Sequence, residues 1–190
     1  VPVLSEASVV DTSRELVVLL DERGNASGSA DKERLHTTET PLHLAFSCHV
    51  SNAAGELLLT RRALGKRSWP GVWTNSFCGH PAPGESMVDA VVRHAQAELG
   101  LRLDPALHQL TLELPDFRYR AVDPSGIVEN ELCPVYTAVI DDRPVPNPAE
   151  VMELAWVTPT ALAAALAATP WAFSPWLVLQ ARELGTGVQS

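Results

Sequence analysis

The sequence predicts a mixed α/β (α+β) fold, a mixed β-sheet with helices packed on its faces. Three observations carry that expectation. Short apolar or alternating runs bounded by turn residues recur along the chain, a capped amphipathic stretch stands in the middle, and two further helical stretches close it. The length of 190 residues fits a single domain over 1–190, since a chain of this size buries roughly 70% of its unfolded surface in one core. No internal repeat divides it.

Taken in order, a polar start leads to an apolar run over 15–20 that reads as a strand, stopped by the turn residues Arg23, Gly24 and Asn25. The next stretch, up to Pro41, reads as loop, so about 1–40 is expected to be loop-rich. Leu42 to Val50 and Glu56 to Thr60 flank a turn at 52–55 and predict a hairpin. Ser86 with Asp89 three residues on is a helix-start pair, Met87, Val91, Ala95 and Leu99 recur at helical spacing, and Gly100 stops the run. Strands are then expected over 109–114, 117–121 and 129–140, before the proline-rich DDRPVPNP loop. Thr158 caps a helix over 159–168, and another starts near Ser174-Pro175.

Composition narrows the function classes. A net charge of -9 argues against nucleic acid or an anionic membrane as the main partner, so any anionic ligand must be met by local cations. Cys48, Cys78 and Cys133 are odd in number, without CxxC or zinc-finger spacing, which fits a reducing cytoplasm. The start, VPVLSEASVV, is neither basic nor long and apolar, and no stretch nears the roughly 18 apolar residues of a membrane span.

The chemistry concentrates in two runs, TNSFCGHP and VENELCP. Cys78 and His80 stand two residues apart, as do Glu129 and Glu131. In extended chain, i and i+2 share a face, so each run aims two reactive groups one way. A thiol, an imidazole and two carboxylates point to a metal beside an acid/base thiol.

Gly79, Glu85, Arg93, Glu98, Gly100 and Leu101 stand at the spacing of a Nudix box. Where Nudix hydrolases carry further glutamates, this chain has His94 and Ala97. That departure tells against diphosphate hydrolysis, which needs metals to bridge oxygens and prepare a water; one magnesium clamping a diphosphate needs less.

Through LHTTETPLHLAF, TRRALGKRSWPGVWTNSFCGHP, FRYRAVDPSGIVENELCP and TPWAFSPW, in this order over most of 32–176, the chain resembles the type 1 isopentenyl-diphosphate delta-isomerases. The resemblance implies a Nudix-like mixed β-sheet sandwiched between helices. It implies a divalent metal (manganese, zinc or magnesium) on His36, His43, His80, Glu129 and Glu131, a donor set suited to such ions. It also implies Cys78 and Glu131 as proton-transfer groups, assisted by Tyr119 and by the π face of Trp176. Lys32, Arg62 and Lys66 fall at the family's basic positions, and Mg2+ on Glu98 would accompany the substrate diphosphate; Ser125 and Gly126 are expected to shape the same end.

The implied activity interconverts isopentenyl and dimethylallyl diphosphate, with a small isoprenoid diphosphate as partner and a monomer expected. A Nudix pyrophosphohydrolase acting on a nucleoside or isoprenoid diphosphate is the alternative, and a catalytically silent binding module the third reading. His49, His94 and His108 read as ordinary polar residues, Cys48 and Cys133 as packed strand residues, and Trp73 and Trp156 as core.

Overall fold

Two interruptions in the apolar runs, at Ala45 and at Cys133-Pro134, decide the architecture of the computed structural model, which describes residues 15–185. The chain forms β1 (Leu16–Leu20), β2 (Ala26–Asp31), α1 (Lys32–Leu35), β3 (His43–Leu44), β4 (Phe46–Asn52), β5 (Leu57–Arg62), β6 (Trp73–Thr74) and β7 (Phe77–Gly79). Then come α2 (Met87–Leu99), β8 (Thr111–Leu114), β9 (Arg118–Val122), β10 (Val128–Leu132), β11 (Val135–Ile140) and β12 (Val151–Val157). Helix α3 (Pro159–Ala168), a 3-10 turn at Pro170–Ala172 and α4 (Pro175–Glu183) follow.

The strands make two mixed sheets rather than one. The smaller runs β2-β1-β3-β10-β9 and the larger β12-β5-β4-β11-β8, with β6 beside β5 and β7 beside β4. Only β3–β10 and β4–β11 are parallel among these pairs. The run expected as one strand over 129–140 is therefore two strands in different sheets. Pro134 has no amide hydrogen to give a ladder, and the chain leaves one sheet there and enters the other. Ala45 makes the same transfer between β3 and β4, and the two transfers are tied by Ala45 N–H to the Leu132 carbonyl (2.9 Å) and Ser47 N–H to the Pro134 carbonyl (3.0 Å).

The larger sheet lies between helices. Leu58 joins Phe46, Val50, Phe77 and Ile140 in the core under α2, to which the helix contributes Ala90, Val91, Ala95 and Leu99. Its neighbours Leu57 and Leu59 face the other way, against Leu162 and Leu166 of α3 and Leu177 and Ala181 of α4. Alternation along one strand thus covers both faces.

The three expected long helices form where their caps place them. Ser86 Oγ accepts from Asp89 N–H at 3.1 Å, and Gly100 ends α2 at φ 64°. Thr158 and Ser174 cap α3 and α4 in the same manner. Elements β2, α1 and β12 were not expected. The stretch read as loop up to Pro41 contains β2 and α1: ASGSAD lacks apolar alternation, and β2 exists as an edge strand because β1 pairs with it from Leu16↔Asp31 to Leu20↔Ala26. Strand β12 follows the proline-rich loop and pairs along β5. The polar start over 1–14 lies outside the described residues. No helix among the described residues is long and apolar enough to cross a membrane.

Removing the α2 cap isolates one local contribution. Ser86→Ala should lower the unfolding free energy by about 1 kcal/mol in denaturant titration, without shifting the spectrum of the folded state.

Candidate active site

The site forms where the strands change sheet. Strand β3 presents His43, and β10 presents Glu129 and Glu131 on one face with Asn130 turned away to the Thr40 carbonyl (3.3 Å). His36 follows α1 and His80 follows β7. One donor atom each from His36, His43, His80 and Glu131 lies within 4.8 Å of all the others. Glu129 adjoins them, its Oε2 2.9 Å from His36 Nε2. Five buried atoms here make no hydrogen bond: Nε2 of His36 and His43, both nitrogens of His80, and Oε2 of Glu129.

Orphaned buried polar atoms cost about 1–3 kcal/mol each, so a cluster of them converging on one point fits a divalent cation. The donor set, imidazole with carboxylate, suits zinc, manganese or magnesium. His43 Nδ1 lies 3.0 Å from the Pro41 carbonyl, which fixes that nitrogen as the protonated one and leaves Nε2 free to ligate. Burial pushes the His80 ring down to about 4, keeping it neutral. Burial opposes charge on both His43 and Glu131, but their contact outweighs it: His43 is raised, and Glu131, which also meets His80, is held well below the usual carboxyl range.

A cleft of about 690 Å³ opens on this cluster and reaches Cys78, Tyr119 and Trp176. Cys78 comes from β7 in the larger sheet, Glu131 from β10 in the smaller. The Cys78 thiol donates to Asn75 Oδ1 (3.2 Å) and lies 3.3 Å from Ser47 Oγ. Burial, then the Glu131 and Glu98 carboxylates, push it up to about 12 against the lowering effect of those two hydrogen bonds. Tyr119 stands across from Glu131 in the β9–β10 register, and burial followed by the Glu131 and Glu129 charges raises it, so it stays a phenol.

Trp176, the second residue of α4, is 3% exposed and donates Nε1–H to Asn75 Oδ1 at 3.0 Å. The Asn75 amide cannot turn over, because its Nδ2 donates to the Cys48 and Phe77 carbonyls. Trp69 and Tyr119 flank the indole with ring centroids 5.6 and 5.8 Å away. The Arg62 guanidinium carbon stands 5.3 Å from the same ring.

The expected cations line the cleft but are engaged. Lys32 pairs with Glu15 at 2.8 Å, and Lys66 pairs with Glu150. Arg62 donates to the Ser68 and Trp69 carbonyls and so holds the 68–69 bend as well as facing the cleft. Glu98 reaches the cleft from α2, with Oε1 3.0 Å from His94 Nδ1. Glu85, the other carboxylate of the Nudix box, is taken by Arg93 at 2.7 Å. Ser125 and Gly126 do not line the cleft; they form a turn around Asp123, whose Oδ1 accepts from the Ser125 and Ile127 amides.

Several residues of the site were not singled out by sequence. Asn75 sits inside TNSFCGHP, and its place next to the thiol motif was an available signal. Trp69 has a left-handed φ of 43°, rare for a bulky residue, and is held by Asp123 at its amide (3.4 Å) and Arg62 at its carbonyl (3.2 Å). His94 is not an ordinary polar residue: it is buried against Phe46, and a Cβ on Gly79 would come within 2.5 Å of its ring. His49 is likewise buried, bonded to Gln180 at 2.9 Å. Nothing in a lone histidine's spacing shows this.

Residues 41–177 match the NUDIX domain family. Over 185 residues the chain is 60% identical to an isopentenyl-diphosphate Delta-isomerase of Agromyces mediolanus, covering 96% of this chain and 88% of that one. The chain belongs to the isopentenyl-diphosphate Delta-isomerase family. Another member, from Citrobacter koseri, is 54% identical over 89% of this chain and 91% of its own. The family fold is also seen in the crystal structure of DR0079 from Deinococcus radiodurans, with a TM-score of 0.68 and 24% identity over 89% of this chain and 98% of that one.

Metal occupancy is testable through stability. At a concentration about a hundredfold above its dissociation constant, manganese or zinc should raise the melting temperature of chelator-stripped protein by about 5–10 °C. His80→Ala should abolish the rise, and an equal rise in that variant would contradict the assignment.

Proposed function

We propose that the protein interconverts isopentenyl diphosphate and dimethylallyl diphosphate by adding and removing protons across an alkene. The observation that carries this reading is the meeting of Cys78 and Glu131, from two different sheets, on one cleft lined by Tyr119 and Trp176, with Trp69 packed edge-on against the Trp176 indole. In the direction of the allylic product, Glu131, once protonated, gives its proton to the terminal alkene carbon, and positive charge develops at the tertiary carbon. Cys78, once deprotonated, takes a proton from the adjacent methylene to become the thiol, and the C–H electrons become the new double bond. The roles exchange in reverse.

An unactivated alkene is a weak base, so the donor must be strong. The same His43 and His80 contacts that hold Glu131 low make its protonated form a strong acid. The tertiary cation needs stabilisation without a nucleophile, which an indole face supplies at about 2 kcal/mol or more when desolvated. Trp176 already faces one cation, Arg62. Water must be kept out, and the buried aromatic wall serves that.

His36, His43, His80, Glu129 and Glu131 are proposed to hold a divalent metal, which when bound supplies positive charge to their buried acceptors. Glu98, fixed by His94, is proposed to hold Mg2+ carried with the diphosphate, while Lys32, Arg62 and Lys66 meet the phosphate oxygens. With Glu85 bonded to Arg93 and Ala97 where a further carboxylate would stand, α2 lacks the cluster that hydrolysis needs. The three free cysteines support a reducing compartment such as the cytoplasm.

Cys78→Ala and Glu131→Gln should each reduce isomerisation of isopentenyl diphosphate by at least about a thousandfold with the fold intact by circular dichroism. Near-normal turnover in either would refute its role. Trp176→Phe should be milder than Trp176→Ala, and equal losses would count against charge stabilisation by the ring.

A further inference from the structure

Three buried polar side chains unused by the isomerisation reading form a hydrogen-bonded line ending on the Cys78 sulfur. His49 Nε2 lies 2.9 Å from Gln180 Oε1, Gln180 Nε2–H donates to Ser47 Oγ at 2.8 Å, and Ser47 Oγ lies 3.3 Å from Cys78 Sγ. Ser47 and Gln180 are fully buried and His49 is 8% exposed. None of the three lines the cleft.

Each member is placed by the fold. Ser47 and His49 lie at i and i+2 on β4 and so share a face, and Ser47 is the cross-strand partner of Cys78. Gln180 is one turn along α4 from Trp176, so a single helix carries the indole and the amide that reaches behind the thiol. An apolar core of the same volume would need no such pairing, and a buried polar line is tolerated only when every member is bonded.

The line has a direction. Gln180 Oε1 accepts from His49, which assigns the hydrogen to Nε2 of that ring. Gln180 then gives its own hydrogen to Ser47, which leaves the single Ser47 hydroxyl hydrogen for a sulfur. Two sulfurs are within reach, Cys78 at 3.3 Å and Cys133 at 3.4 Å. On its other side, Cys78 meets Asn75 Oδ1, which only accepts. The sulfur is thus gripped between an acceptor fixed by two backbone carbonyls and a hydroxyl fixed by α4.

We propose that Ser47, braced by Gln180 and His49, is a positioning residue that holds the Cys78 sulfur at the cleft. The proposal rests on the isomerase reading and extends it. A reacting atom free to leave its aligned position loses rate without losing substrate affinity, and a displacement near 1 Å is enough to matter. Released from Ser47, the thiol can turn about its single χ angle.

The test is steady-state kinetics on isopentenyl diphosphate with the metal-loaded protein, together with melting temperatures. Ser47→Ala and Gln180→Leu should each lower kcat about tenfold while KM stays within about twofold. The double variant should lose little more than the larger single loss, since both break one line. His49→Leu should lower kcat less, and His49→Gln, which can donate to Gln180, should recover most of it. If Ser47→Ala fails to fold, the His49 pair decides: recovery by glutamine supports the line, and equal kcat in both variants overturns it. Unchanged kcat in folded Ser47→Ala overturns the proposal while leaving the isomerase reading standing. An unaltered protein that fails to isomerise the substrate overturns both.

Discussion

Three imidazoles and two carboxylates, buried at one point, are the constraint on which the rest of the structure depends. Left alone, such a cluster opposes folding, because most of its inward atoms have no hydrogen-bond partner and desolvated polar groups are costly. A divalent cation held there would change the sign of that contribution by taking these acceptors as ligands. The chain around the cluster is arranged to make it possible. His43 and Glu131 are opposite one another in the parallel β3–β10 pair, and the transfers at Ala45 and Cys133-Pro134 carry both strands into the second sheet just beyond it. The thiol from the larger sheet thereby comes close to the carboxylate from the smaller one.

This placement also separates two electrostatic environments within one cleft. Around Glu131, His43 and His80 favour the carboxylate. Around Cys78, burial and the nearby carboxylates favour the protonated thiol. Carboxylate and thiol are the states in which the proposed forward step would leave the two groups and from which the reverse step would begin. Asn75 joins this system to the aromatic wall, since one oxygen accepts from both the Cys78 thiol and the Trp176 indole.

How much of this was legible in the sequence depended on whether the signal was local. The caps at Ser86, Thr158 and Ser174 placed three helices because a cap is a short-range hydrogen bond. The residues named for the site each stand in a motif, and they reach the cluster or the cleft except Ser125 and Gly126, which form a turn around Asp123 instead. Strand β2 was not legible, since its polar residues pair only because β1 lies beside them. The division at Pro134 was hidden by apolar residues on both sides, although a proline within a central strand argues for a break. Ser47, Gln180 and His49 were hidden for the same physical reason: their meaning lies in contacts across 131 and 133 residues of chain. The basic residues were legible in position but not in their present partners, Glu15 and Glu150.

In the proposed reaction a proton from Glu131 enters at one end of an alkene while Cys78 removes one from the neighbouring carbon. Its most direct measurement is turnover of isopentenyl diphosphate by the metal-loaded protein in deuterated water, followed by mass spectrometry and NMR of the product at early times. The expected product is dimethylallyl diphosphate carrying deuterium in the methyl group derived from the terminal alkene carbon, with the diphosphate intact. Unlabelled allylic product, or release of phosphate or pyrophosphate in its place, would contradict it.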